Sequence, residues 1–207
     1  MVTHAAALLA IDAALAARTA PLEAVVIGAS AGGVGALLKL LPGLPRQYGA
    51  AVVAVLHLPE NRQSQLADVF AQRMTLTVRE AADKEPLTSG TLYFAGSGYH
   101  LSIEEDRCFS LSCEAPRNFA RPSIDILMES AADAYGPALL GILLTGANHD
   151  GAVGMAAIGR AGGLTVVQDP DEAEVATMPK EALRMRRPDL VLPLDAIHTL
   201  LLKLEKN

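Results

Sequence analysis

Apolar residues follow two rhythms along this chain. Uninterrupted runs at 25–27, 51–56 and 138–144 are rich in Val, Ile, Leu and Ala, the pattern of strands buried on both faces in a parallel sheet. Between them, apolar positions recur at helical spacing. Examples are Val34, Leu37, Leu38 and Leu41 before Pro42-Gly43, and Ile124, Leu127, Met128 and Ala131 after a candidate N-cap at Ser123. The same reading predicts helices over 63–73, up to Ala161, over 180–186 and at the C-terminus, with strands at 76–79, 164–167 and 190–192. Residues 91–95, 99–103 and 108–112, with Gly96-Ser97-Gly98 among the turns, read as short antiparallel strands. An Ala-rich segment over 5–17, stopped near Pro21, reads as a helix. The alternation implies an α/β fold: a doubly wound, mostly parallel sheet with helices on both faces and a small antiparallel hairpin region. Residues 1–22 are expected to form a helical extension, and 23–207 one domain.

The stretch Val25-Val26-Ile27-Gly28-Ala29-Ser30-Ala31-Gly32-Gly33 is a strand running into a Gly-rich turn and a helix. It places the Ser30 hydroxyl at a strand's carboxyl end, beside helix-terminal N–H groups that can receive a developing negative charge. Gly28 and Gly32 are expected to allow the tight backbone, since neither carries a Cβ. Gly28-x-Ser30-x-Gly32 has the spacing of a nucleophile elbow; a phosphate-binding or inert βα loop would read the same.

His57 and Asp150 also follow predicted buried strands. Ends of parallel strands share one sheet edge, where ligands bind at the point of reversed strand order. A serine hydroxyl is a poor nucleophile until an imidazole takes its proton, and a carboxylate must orient that imidazole and stabilise its charged form. Ser30, His57 and Asp150 supply that combination. Taken singly, His57 also reads as a structural histidine and Asp150 as an N-cap. His149 competes as base but shares a loop with Asp150. His4, His100 and His198 read as solvated or structural.

Composition narrows the classes. Hydrophobic residues make up 51% of the 207 and aromatic ones 4%, so Ala, Leu and Val must fill the core. A net charge of −6 argues against non-specific nucleic-acid binding, a local patch at Arg184, Arg186 and Arg187 notwithstanding. Cys108 and Cys113, the only cysteines, lack zinc or redox spacing and read as free thiols of a cytoplasmic protein. No apolar run reaches the roughly 18 residues that would span a bilayer. The first residues carry Asp12 and no basic region, unlike a signal peptide.

Five segments then resemble a known family: Gly28-Ala29-Ser30-Ala31-Gly32-Gly33, His57-Leu58-Pro59, Arg121-Pro122-Ser123-Ile124-Asp125, Thr145-Gly146-Ala147-Asn148-His149-Asp150-Gly151-Ala152 and Met178-Pro179-Lys180-Glu181-Ala182. In this order they look like the signature segments of the chemoreceptor protein-glutamate methylesterases, the CheB-type catalytic domain, over about 23–204. The resemblance implies a doubly wound α/β fold and hydrolysis of glutamate γ-methyl esters on methyl-accepting chemoreceptors, releasing methanol; many members also deamidate receptor glutamines. By position it implies Ser30 as nucleophile, His57 as base and Asp150 as orienting acid. Backbone N–H groups at Ala31 and Ala147 fall in the oxyanion-binding positions, and Met178 falls near the cleft or, equally, in the core. No metal or cofactor is implied. The order Ser, His, Asp differs from the Ser, Asp, His of α/β-hydrolases.

The chain departs from the family pattern at Ala31, where Thr is usual, and at Ala147-Asn148, where Met-Gly is usual. Asn148 would constrain its loop if positive φ were needed there. Only about 22 residues precede the catalytic region, so a stand-alone esterase or a fragment is expected, and phosphorylation-based regulation within this chain is not. These departures motivate a rival reading, a non-catalytic docking module of the same fold. A nucleotide-binding protein is a third class, but the chain lacks Gly-x-Gly-x-x-Gly and Gly-Lys-Ser/Thr in its loop.

Overall fold

The apolar runs become strands because each buries both faces between helical layers. The structure, a computed structural model, describes residues 4–57 and 65–204. Its elements are α1 (His4–Ala16), β1 (Ala24–Ala29), α2 (Gly33–Leu40), β2 (Ala51–Leu56), α3 (Leu66–Ala71), β3 (Thr77–Glu80), β4 (Thr91–Phe94), β5 (His100–Ile103) and β6 (Phe109–Ser112). They continue with α4 (Ile124–Tyr135), β7 (Leu139–Leu143), α5 (Ala152–Arg160), β8 (Leu164–Gln168), α6 (Thr177–Met185), β9 (Leu190–Leu192) and α7 (Leu194–Lys203). Leu58, Pro59 and the start of the helix expected from 63 lie outside the described residues.

Seven strands form one sheet in the order β3-β4-β2-β1-β7-β8-β9, with every pairing parallel. From β1 the chain builds outward on one side, then returns to place β7 on the other, so strand order reverses between β1 and β7. Val25, Ile27 and Ala29 face a core shared with α1, α2, α3 and α7. Ala24 and Val26 face the opposite core, shared with α4, α5, α6 and the β5–β6 hairpin. α1 joins the first core through Ala7 and Ile11 and packs on α7 and β9.

The hairpin region is smaller than the sequence suggests. β5 and β6 pair antiparallel, but Thr91–Phe94 does not join them; it lies in the main sheet, parallel to β2 and β3. All four of its residues are buried, as an interior strand requires, and Gly96-Ser97-Gly98 leads out of the sheet rather than closing a hairpin. α6 starts at Thr177, not 180, because Pro179 falls in the first turn, where no intrahelical N–H is needed.

Gly28 has a different use from the one expected. It lies within β1, and positive φ occurs instead at Gly32 (78°). A Cβ on Gly28 would overlap Ile124 and Leu143, and a Cβ on Gly151 would meet the same two side chains. The two glycines form the seat on which the first residue of α4 descends to the sheet. Gly28→Ala should therefore destabilise the fold by about 1–3 kcal/mol in urea unfolding, as overpacking does; an unchanged midpoint would contradict this seat.

Candidate active site

The parallel ladder runs past the strand ends and aligns the candidate residues. The N–H of Ser30 donates to Thr145 O (2.9 Å) and that of His57 to Ala29 O (3.2 Å). Ser30 is partly exposed, and the turn closes over it as Gly33 N donates to Ser30 O (2.8 Å). Gly32 is the N-cap of α2 at φ 78°, a conformation glycine adopts without steric penalty.

Asp150 is fully buried and accepts five hydrogen bonds. His57 Nε2 (2.8 Å) and Ile124 N (2.7 Å) reach Oδ2. Ser123 Oγ (2.8 Å), Asn118 Nδ2 (2.9 Å) and Asp125 N (3.1 Å) reach Oδ1. Two of these donors are backbone N–H groups of the first turn of α4, which otherwise lack partners. Asp150 therefore caps a helix that precedes it in the chain, while α5, which follows it, starts at a Gly151 cap. Ser123 occupies the expected N-cap position of α4, but its hydroxyl goes to Asp150 instead of its own helix.

Burial alone would raise the Asp150 pKa, but His57, Asn118, Ile124 N–H and Ser123 together hold the carboxyl well below the usual carboxylate range. A carboxylate only accepts, so His57 Nε2 carries the proton and Nδ1 is the basic nitrogen. A second carboxyl, Asp125, is buried beside the first. It accepts from Gly154 N (2.8 Å) and Asn118 Nδ2 (2.9 Å), and its pKa is pushed up, chiefly by burial and further by the Asp150 charge.

The other histidines are accounted for. His149 is exposed and its Nε2 meets Asn118 Oδ1 (3.2 Å), not Asp150. Buried His100 accepts from Ser123 N on Nδ1 (3.2 Å) and donates from Nε2 to Ala115 O (3.1 Å), tying β5 to the start of α4. His198 Nδ1 donates to Leu40 O (2.8 Å), and His4 is exposed at the start of α1.

Thr145 locks the remaining loops. Its Oγ1 donates to Ala31 O (2.8 Å) and accepts from Val175 N (2.9 Å), while its own N–H donates to Gln168 Oε1 (2.8 Å). Gly146 N donates to Val175 O (3.0 Å) and Met178 N to Gly146 O (2.9 Å). Ala31 and Ala147 are exposed at either side of this joint, and their N–H groups donate to no described residue. Met178 is fully buried beneath Gly146, where a Cβ would strike its side chain, so it supports the loop from the core side. Asn148 lies outside the positive-φ region and its Oδ1 accepts from Asp150 N (3.2 Å), so the loop tolerates it without backbone strain. Glu174 is exposed and lies against Gly32. Among the described residues no three His, Cys, Asp or Glu side chains cluster to hold a metal, and Cys108 and Cys113 are free thiols.

The model of the CheB methylesterase family matches residues 25–201. The chain belongs to that family. The catalytic domain of the Thermotoga maritima CheB methylesterase superposes with a TM-score of 0.84 at 31% identity, covering 89% of this chain and 100% of that one. A protein-glutamate methylesterase/protein-glutamine glutaminase of Anaeromyxobacter dehalogenans is 42% identical over 87% of this chain but only 53% of its own length. A Leptospira interrogans protein that bears the same name provisionally is 44% identical over 89% of this chain and 96% of its own length.

Sequence reading did not single out Asn118, Asp125, Thr145, Gln168 or Glu174 as site residues. Asp125 and Thr145 lie inside segments that carry the family resemblance, which was the available signal. The others lie outside those segments, and only the folded loops bring them in.

The Asp150 cradle makes a pH-dependent prediction. A carboxyl whose native pKa is depressed contributes stability in full above its unfolded value, about 3.9, and loses it as pH falls toward the native value. Asp150→Asn should lower stability from pH 5 to 8, by about 1–3 kcal/mol, since it sets an NH2 group against a ring of donors. The gap to wild type should shrink below about pH 4. Urea titrations across that range measure it; a gap that widens with acid would be contrary.

Proposed function

We propose that this chain hydrolyses glutamate γ-methyl esters on chemoreceptors, and the corresponding glutamine amides, with Ser30 as nucleophile, His57 as base and Asp150 as orienting acid. The observation that carries the reading is the 2.8 Å bond from His57 Nε2 to a fully buried Asp150, which engages that nitrogen and leaves Nδ1 as the one available to Ser30, on the neighbouring strand. Membership of the methylesterase family and the names of the Anaeromyxobacter and Leptospira relatives support the substrate class. A chemoreceptor as partner and a cytoplasmic setting, consistent with two free thiols, belong to the same proposal.

The chemistry follows from the placement. Ser30 Oγ attacks the γ-carbonyl carbon as His57 Nδ1 takes its proton. The carbonyl π-electrons move to oxygen, and the N–H groups of Ala31 and Ala147 receive the oxyanion, worth about 3–4 kcal/mol per donor. Asp150 stabilises the imidazolium through Nε2–H. Collapse breaks the C–O bond to the methoxy group, which leaves as methanol with the proton from Nδ1. Water, deprotonated by the same nitrogen, then cleaves the acyl-serine and restores Ser30 with a free glutamate. With an amide the leaving group is ammonia. Ala31 keeps its N–H although the side chain usual in the family is missing, so this scheme does not need that side chain.

Methanol release from a methylated chemoreceptor fragment tests the reading. Ser30→Ala should lower kcat by at least about 1000-fold with the fold retained. Wild-type turnover in that variant would remove the covalent mechanism, and no release by the wild type would remove the activity.

A further inference from the structure

We infer that Asn118 is a positioning residue for Asp150: its side-chain amide separates two buried carboxylates and keeps the acid of the triad free to serve His57. The consequence for turnover rests on the esterase reading above; the effect on the carboxylates does not.

Asn118 Nδ2 lies 2.9 Å from Asp150 Oδ1 and 2.9 Å from Asp125 Oδ2. Both aspartates are buried, at 0% and 1% exposure. Two carboxylates brought together out of water repel, and the repulsion favours a proton on one of them. Donors elsewhere relieve Asp150 from four sides, but Asp125 has only Gly154 N besides Asn118 among the described residues. An amide nitrogen carries two hydrogens, so Asn118 can give one to each acid. The orientation is fixed from the other end, because Oδ1 meets His149 Nε2 at 3.2 Å and an ionised carboxylate offers no proton to an amide oxygen.

The backbone is built to present this side chain. Asn118 has φ 53°, in the left-handed region that Asn tolerates better than most residues. The turn is closed by Arg117 N to Ala120 O (3.1 Å) and Ala120 N to Arg117 O (2.9 Å). Arg117 also pairs through both terminal nitrogens with Glu129 on α4, anchoring the turn to the helix whose first residues hold Asp150. Phe119, next in the chain, is 99% exposed, so the turn is held by polar contacts and not by its aromatic residue.

Without the amide, Asp125 and Asp150 lose the one side-chain donor they share among the described residues. The pair then retains a proton to higher pH, chiefly on Asp125, which keeps one donor against the four of Asp150, and Asp150, one donor short, holds and orients His57 less firmly. Among the described residues the titratable and charged groups around the pair are His57 after β2, His149 in the Asp150 loop, Arg117 in the turn and Glu129 on α4. A proton on His57 or His149 acts on the same charges, so the carboxyls themselves must be read.

The test is Asn118→Gly in the full chain, because glycine takes φ 53° without strain and deletes only the side chain. Asn118→Asp, which turns the donor into a third acid, is the second variant. Carboxyl 13C NMR titration should show the Asp125–Asp150 pair protonating at higher pH in both variants than in wild type. With methylated receptor fragment, kcat should fall about 10- to 100-fold with KM little changed. A carboxyl titration matching wild type in folded Asn118→Gly would overturn the inference, whatever happens to its melting temperature. Absence of hydrolysis by wild type would defeat the esterase reading instead, and the titration would still decide the role of Asn118.

Discussion

A single buried negative charge organises this site. Asp150 cannot stay ionised out of water without donors, and the fold supplies them from the first turn of α4, from Ser123 and from Asn118. The same bonds satisfy helix-terminal N–H groups that would otherwise be orphaned in the interior, and the positive end of the helix dipole adds to the match. One interaction thus settles where α4 begins, keeps a carboxylate charged and leaves one lone pair direction for His57. Gly28 and Gly151 make that possible, because a Cβ at either would hold Ile124 away from the sheet.

The second constraint is topological. Strand order reverses between β1 and β7, so the loops that follow them diverge to opposite faces and leave a crevice at their carboxyl ends. Ser30 and the Asp150 loop flank it, and β2 delivers His57 beside β1. Thr145 stitches the Ser30 turn, the end of β7 and the 173–178 segment together with its hydroxyl and backbone. Ala31 and Ala147, exposed residues whose N–H groups have no described partner, lie on either side of this joint. Asn148 fits its loop without positive φ.

Much of this was legible in sequence because burial of both strand faces leaves a plain signature. The runs at 51–56 and 138–144 form strands of nearly the expected extent, which brings Ser30, His57 and the Asp150 loop to one sheet edge. The four residues of β4 read in sequence as part of the hairpin because a Gly-Ser-Gly turn after a short apolar strand looks the same whether the chain doubles back or crosses over. The cradle was invisible for a related reason: the donors to Asp150 lie 25 to 32 positions earlier and on the far side of β7. Local patterning could mark Ser123 as a cap but not reveal that the helix is capped by a residue from another loop. Asn118 carried no periodic or motif signal at all; a left-handed turn on the surface of α4 brings it inward.

In the proposed mechanism Ser30 is activated through His57 by this buried charge. Reaction with a serine-directed phosphonate, followed by peptide mapping, tests it without a receptor. One covalent adduct is expected, on Ser30, formed far more slowly by folded Asp150→Asn protein than by wild type. A folded wild type that takes no label, or an adduct on Ser30 formed equally fast in the variant, would contradict it.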